Sequence, residues 1–341
     1  MAQIIPKFVG SVERHWQKEL ADCVTDPEEL LKLVQLEPAF HTRDIAARRL
    51  FPMRVPRPFI NRMQLGNVLD PLLLQVFTQH QEFNVVADFS EDPLEEQQSS
   101  TPGLIQKYQS RVLLIVRGGC AVNCRYCFRR HFPYGENSVN KLGWQKTLQH
   151  IADDPEINEV IYSGGDPLMA KDDFLAWLTS EIEKIPHVRR IRIHSRLPVV
   201  IPSRINDELL AWFSGSRLKP AMVLHINHAN EIDSEVQAAV AKLINAGVTV
   251  LNQSVLLHQV NDTVEAQVEL SERLYDCGIL PYYLHMLDKV QGAAHFAVDD
   301  DQARVIMAGM IKRLPGFLVP KLVREIGGQP GKTPVDLHLH P

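Results

Sequence analysis

Long apolar runs are missing from this 341-residue sequence. The longest, such as Val112-Leu113-Leu114-Ile115-Val116, fall far short of the roughly 20 residues a membrane span needs, so no transmembrane helix is expected. The opening residues, MAQIIPKFVGSVERHW, lack the apolar stretch of roughly 7–15 residues of a secretory signal, and the expected location is the cytoplasm. An excess of positive charge is also absent. Thirty-six Lys and Arg stand against 41 Asp and Glu, a formal net charge of −5, which argues against a nucleic-acid partner. No low-complexity tract or fixed-period repeat is present. Cysteine is scarce and odd in number, five in all, and a chain of this length buries a sizeable core without disulfide staples. With 45% hydrophobic and 23% charged residues, the composition is that of an ordinary globular protein.

What is present changes character along the chain. Residues 1–105 read as helical and irregular, with an apolar stripe through Leu20, Leu30, Leu31 and Val34 broken at Asp26-Pro27. The acidic, Pro- and Gly-punctuated stretch 90–103 reads as a linker or exposed loop. From 111 onward, β-branched runs at 111–116, 159–163, 189–195, 222–227, 248–257 and 281–287 alternate with amphipathic segments. In one segment Ile232, Val236, Ala239, Val240, Leu243 and Ile244 share a helical face, with Asp233 as N-cap and Gly247 just past the end. Strands alternating with helices predict an α/β fold with a parallel sheet, either a partial barrel or a doubly wound open sheet.

Directly after the first strand, Cys120, Cys124 and Cys127 are spaced C-x3-C-x2-C behind Gly118-Gly119. Thiolates hold iron–sulfur clusters, and a cubane fully ligated by protein takes four cysteines. Three leave one iron open, a position at which a cosubstrate can bind by the logic of catalytic metal sites. A zinc knuckle completed by Cys277 or a histidine is the alternative. Near the C-terminus, Gly327-Gly328-Gln329-Pro330-Gly331-Lys332-Thr333-Pro334 fails as a phosphate-binding P-loop. Ile326 stands where the first glycine is needed, and Pro334 opposes the helix that should follow. A lysine on such a loop either is solvated or forms a Schiff base with a carbonyl cofactor.

The cysteine spacing, the aromatic Tyr126 before the third cysteine and Gly164-Gly165-Asp166 after the second strand resemble the radical S-adenosylmethionine superfamily. That resemblance implies a partial (β/α)6 barrel over residues 106–314, a [4Fe–4S] cluster on the three cysteines, and S-adenosyl-L-methionine on the open iron. It places Tyr126 beside the adenine and Gly164, Gly165 and Asp166 at the methionyl amine. From about 107 to 335, segments such as RVLLIVRGGCAVNCRYCFRRHF, YSGGDPL, IHSRLPVVIPSRI, NQSVLLHQVND and GGQPGKTPV resemble the lysine 2,3-aminomutase family. The family likeness implies that Lys332, in a short C-terminal segment 315–341, carries pyridoxal 5′-phosphate, with Arg111 and Gln253 near its phosphate. A radical made from S-adenosylmethionine would then take hydrogen from Cβ of the bound amino acid, whose nitrogen moves from Cα to Cβ.

The same likeness assigns Arg129 to the substrate carboxylate and Asp288 and Glu325 to the distal ammonium of free L-lysine. One cation and two anions complement lysine, whereas a glutamate-type relative needs a cationic or neutral pocket end. The family usually has aspartate where Glu325 stands, and the extra methylene adds up to about 1.5 Å of reach. Catabolic members carry further cysteines for a structural zinc, one where this chain has Thr263, so no structural zinc is expected. The pattern is similar to the bacterial branch that supplies (R)-β-lysine for modifying translation elongation factor P. It implies an external one-electron reductant and a link to that factor and its lysyl-transferring enzyme. A glutamate-type or catabolic lysine aminomutase and a non-enzymatic metal-binding protein are the alternatives.

Overall fold

A computed structural model of the chain describes residues 15–97, 103–135, 137 and 139–339. The described residues form one nine-stranded sheet in chain order. Its strands are β1 Leu104–Tyr108, β2 Arg111–Arg117, β3 Glu159–Gly164, β4 Arg190–Ser195, β5 Lys219–His225, β6 Thr249–Val255, β7 Leu280–His285, β8 Lys321–Arg324 and β9 Thr333–Pro334. Neighbours from β2 to β8 are parallel, while β1 and β9 are antiparallel at the margins. A doubly wound sheet reverses its strand order at a switch point. This one never does, and its margins do not pair with each other, so it is a partial barrel.

The six expected strands are present, and three more flank them. The seventh parallel strand, β8, has only four residues and is followed by no helix, which leaves too little alternation to read. Asp233 caps Ser234–Asn245 by accepting from Val236 N at 2.9 Å, and Gly247 takes φ +80° just after the helix. Ile244 differs from expectation. It lies at the last turn and is 38% exposed, because the buried stripe ends at Leu243.

Strand alternation separates core from cavity. Leu114, Val160, Tyr162, Ile191, Ile193 and Val250 point to the helix side and join the main apolar cluster. Their neighbours Leu113, Ile161, Ser163, Arg192, His194 and Gln253 point the other way and line an internal cavity. A parallel sheet is normally apolar on both faces. Here one face is polar, and the function lies there.

The N-terminal residues share the barrel's apolar cluster through Trp16, Leu30, Leu31, Phe59 and Leu72. Asp26 caps the helix Pro27–Leu33, where Pro27 opens the first turn. This region also grips the cysteine loop. Glu82, wholly buried, receives Arg125 Nε at 2.9 Å and Nη2 at 2.6 Å, and Arg130 Nη2 at 2.8 Å. Gln75 O accepts from Arg125 N at 2.9 Å, and Arg54 O from Asn123 N at 3.0 Å. The stretch read as a linker or exposed loop, in its described part, is not merely exposed. Leu94 and Glu96 are buried, because Ser90 pairs with the loop after β7 and Glu96 finds two cationic partners. Replacing Glu82 by Ala strands two buried guanidinium groups and is expected to cost about 3–5 kcal/mol in urea unfolding. A loss below about 1 kcal/mol would show that this ion cluster does not hold the loop.

Candidate active site

The three cysteines sit where β2 runs out into the cavity. Gly165 N donates to Arg117 O at 2.7 Å and Asp166 N to Gly119 O at 3.0 Å, lacing the ends of β2 and β3 together. Only glycine permits this approach. A Cβ on Gly165 would lie 2.7 Å from Gly119 O and 2.8 Å from Gly118 O, and Gly164 holds φ +122°. Cys120, Cys124 and Cys127 all line the cavity. Burial, then the neighbouring Cys124, pushes the Cys127 thiol up to about 11; burial and Cys127 raise Cys120 as well. Such thiols become thiolates only beside strong positive charge. Arg196 Nη1 supplies some, donating to Cys124 Sγ at 2.8 Å.

Among the described residues, no three His, Cys, Asp or Glu side chains converge on a point that could hold one metal ion. Cys277 lies in the apolar cluster and does not line the cavity of the three thiols, so it is not placed to complete a zinc knuckle there. A cubane takes one thiolate for each iron and needs no common point. The donor set, three thiols beside a guanidinium in a cavity wall, fits an iron–sulfur cluster.

Tyr126, between the second and third cysteines, is locked. Its hydroxyl accepts from Asn227 Nδ2 at 2.6 Å and from Arg196, and its ring meets Phe296 edge-on at 6.1 Å. Asp166 lines the cavity, but both its carboxylate oxygens are engaged by protein donors. It accepts from Ser195 Oγ at 2.8 Å, from Arg196 N and Leu197 N at 2.9 Å, and from Leu168 N at 3.0 Å. Asp166 therefore ties the glycine turn after β3 to the helix Leu197–Val200.

Lys332 lines the same cavity as the thiols, a space of about 440 Å³, within the range of small-molecule sites. Strand alternation brings His194, His225, Gln253 and His285 to its wall. Burial, then Arg196, holds His225 down to about 3; burial also lowers His194 and His285, so all three are neutral rings. Gln253 Nε2 lies 3.1 Å from His225 Nε2. Gln253 Oε1, His194 Nε2 and His285 Nε2 are buried without a protein partner. Buried polar atoms left unpaired are costly unless a ligand or water meets them. Beside them Arg111 lies over the Tyr108 ring at 3.7 Å. A primary amine, an arginine and unpartnered neutral groups in one cavity fit a phosphorylated pyridine carbaldehyde.

The remaining charges form a chain of alternating sign. Arg129 Nε donates to Glu96 Oε2 at 2.7 Å, and Arg129 Nη1 to Ser163 Oγ and Gly164 O at 3.2 Å. Lys107 Nζ lies 2.9 Å from Glu96 Oε1 and 3.3 Å from Glu325 Oε1; Lys332 Nζ lies 2.7 Å from Glu325 Oε2. Burial opposes the Glu325 charge, but Lys332 and Lys107 outweigh it and hold its carboxyl below the usual range. Among the described residues, Asp288 has no such pair. Burial, then Glu325, pushes its carboxyl up to about 7.

The structure thus brings all the expected residues to one cavity and adds Glu96, Lys107, Arg196, Asn227 and the three histidines. The histidines carried a legible signal, a polar residue at alternate positions of apolar strands. Glu96 and Lys107 carried none, since acids in a polar stretch and a lysine on a marginal strand read as solvated. Gly165→Ala is expected to cost about 1–3 kcal/mol and to lower the iron bound after anaerobic reconstitution, while circular dichroism stays unchanged. Full iron content in that variant would show that the glycine contact does not position the cysteines.

Residues 114–270 match the family model of the Radical SAM superfamily. An L-lysine 2,3-aminomutase of Escherichia coli (strain K12) is 56% identical over 340 residues, covering 99% of this chain and 99% of that protein. One of Haemophilus influenzae (strain ATCC 51907 / DSM 11121 / KW20 / Rd) is 53% identical, covering 94% and 95%. One of Clostridium subterminale is 33% identical, covering 94% of this chain and 77% of the longer relative. No helix of the described residues is long and apolar enough to cross a membrane. With the thiol loop and the lysine facing one cavity, and with likeness of this extent, the chain belongs to the L-lysine 2,3-aminomutase family of radical S-adenosylmethionine enzymes.

Proposed function

We propose that this protein converts L-α-lysine to (R)-β-lysine, with a [4Fe–4S] cluster, S-adenosylmethionine and pyridoxal 5′-phosphate. The observation that carries the reading is the single cavity lined by Cys120, Cys124, Cys127 and Lys332. When bound, these groups supply an organic radical from the sulfonium and a carbonyl through which nitrogen can migrate. The chain's own residues do the rest. Each cysteine binds one iron, leaving one iron without a protein ligand. Arg196, hydrogen-bonded to Cys124 Sγ, offsets thiolate charge inside a buried wall. Tyr126 offers a fixed aromatic face for the adenine, and the Gly164-Gly165 backbone receives the methionyl end. Lys332 tethers the carbonyl cofactor, and Arg111 and Gln253 meet its phosphate.

At the substrate end Arg129 takes the α-carboxylate, while Asp288 and Glu325 take the side-chain ammonium. The raised Asp288 carboxyl suits this role. The neighbouring Glu325 opposes the Asp288 charge, and an arriving ammonium relieves that repulsion. By its likeness to the elongation factor branch, with Thr263 in place of a zinc cysteine, the product serves modification of that factor, and an external one-electron reductant feeds the cluster.

Anaerobically reconstituted protein given lysine, S-adenosylmethionine and dithionite is expected to form β-lysine, read by NMR with stereochemistry at Cβ. Lys332→Ala should lose both turnover and the visible band of the lysine-bound cofactor. Turnover of glutamate in preference to lysine would point to the other aminomutase class. The rate kcat/KM for lysine should fall as pH drops through about 7, because protonated Asp288 no longer carries the charge that receives the ammonium. In Asp288→Asn that acidic limb should vanish along with most activity; an unchanged limb would assign the titration to another group.

A further inference from the structure

Two charged residues at the substrate end have no role in the reading above. Glu96 comes from the segment preceding β1 and Lys107 from β1 itself, yet both line the cavity. Their carboxylate and ammonium lie 2.9 Å apart. Glu96 then meets Arg129 at 2.7 Å, and Lys107 meets Glu325 at 3.3 Å. One short ion pair therefore connects the group assigned to the substrate carboxylate with a group assigned to its ammonium.

We propose that Glu96 and Lys107 are specificity-determining positioning residues, which fix the distance between the carboxylate and ammonium ends of the pocket and so select the chain length of the amino acid. The proposal rests on the lysine reading and deepens it. Its physical basis is the stiffness of paired buried charges. Arg129 is held on three sides, by Glu96, Ser163 Oγ and Gly164 O, and cannot follow a shorter ligand without breaking charge-assisted bonds. Glu325 is held by two cations, Lys332 and Lys107. Lys332 regains a free amine only when a substrate amine takes its place on the carbonyl cofactor; until that exchange it is not free to hold a carboxylate. Among the described residues, Lys107 is then the remaining cation paired with Glu325.

Lysine spans the two anchored ends. Ornithine, one methylene shorter, leaves its ammonium roughly 1.3–1.5 Å short of Glu325. Without Lys107, Glu325 is free to move toward the shorter chain, and discrimination falls. Removing Lys107 also takes a cation from the surroundings of Asp288, which faces Glu325, Lys332, Glu96 and Lys107.

The test is equilibrium dialysis of radiolabelled lysine and ornithine against anaerobically reconstituted holoenzyme, without reductant so that nothing turns over. Wild type should prefer lysine. In Lys107→Met the ratio of the two dissociation constants should shrink by about tenfold, and Lys107→Arg should restore it. The acidic limb of the wild-type pH profile should move to higher pH in Lys107→Met, which a merely structural defect would not cause. Glu96→Gln, which keeps the shape but loses the charge that pairs with Arg129 and Lys107, should likewise shrink the ratio. Unchanged discrimination in a Lys107→Met enzyme that still binds lysine would overturn the proposal alone. Wild type that binds neither amino acid would overturn the lysine reading beneath it.

Discussion

Two carboxylates from outside the parallel barrel, Glu82 and Glu96, hold the three arginines that follow and interleave the cysteines. Glu82 takes Arg125 and Arg130; Glu96 takes Arg129. The cysteine loop has little regular structure of its own, so its shape must come from partners. Breaking either partnership would leave guanidinium groups buried without a counter-charge, a far larger penalty than an exposed ion pair could impose. The helical N-terminal region thus acts as the clamp that shapes the metal-binding loop, and the glycine contacts between the ends of β2 and β3 complete the mould.

The clamp matters because of what the cavity must do. A radical generated at one end has to meet a single carbon of an amino acid held at the other, with no water between. Period-two alternation makes this possible. Helix-facing residues of the strands build the apolar core, and cavity-facing residues on the same strands supply Ser163, His194, Gln253 and His285. Burial keeps the histidines neutral, so they can meet a cofactor without adding cations to a wall that already holds Arg196, Arg129 and Lys332. The charges that remain alternate in sign from Arg129 to Lys332.

Much of this was legible beforehand. The C-x3-C-x2-C spacing and the Gly-Gly-Asp turn are local chemistry, readable without a fold. The six strand–helix repeats follow from periodicity, and helix signals such as Asp233 and Gly247 were in their places. Other features depend on tertiary encounters that no local pattern reports. Asp166 is an example. The fold engages its oxygens with Ser195 and three backbone amides, encounters that residue spacing does not report. Glu96 is another, an acid in a polar stretch that becomes buried because Arg129 and Lys107 approach from elsewhere.

The central claim is that the thiol-bound cluster and the lysine-tethered cofactor serve one shared cavity. Lysine carrying deuterium at Cβ tests it most directly. After turnover, mass spectrometry should find the label at C5′ of recovered S-adenosylmethionine and at Cα of the β-lysine product. Deuterium lost to solvent, with none at C5′, would contradict a direct transfer between the two ends of the cavity.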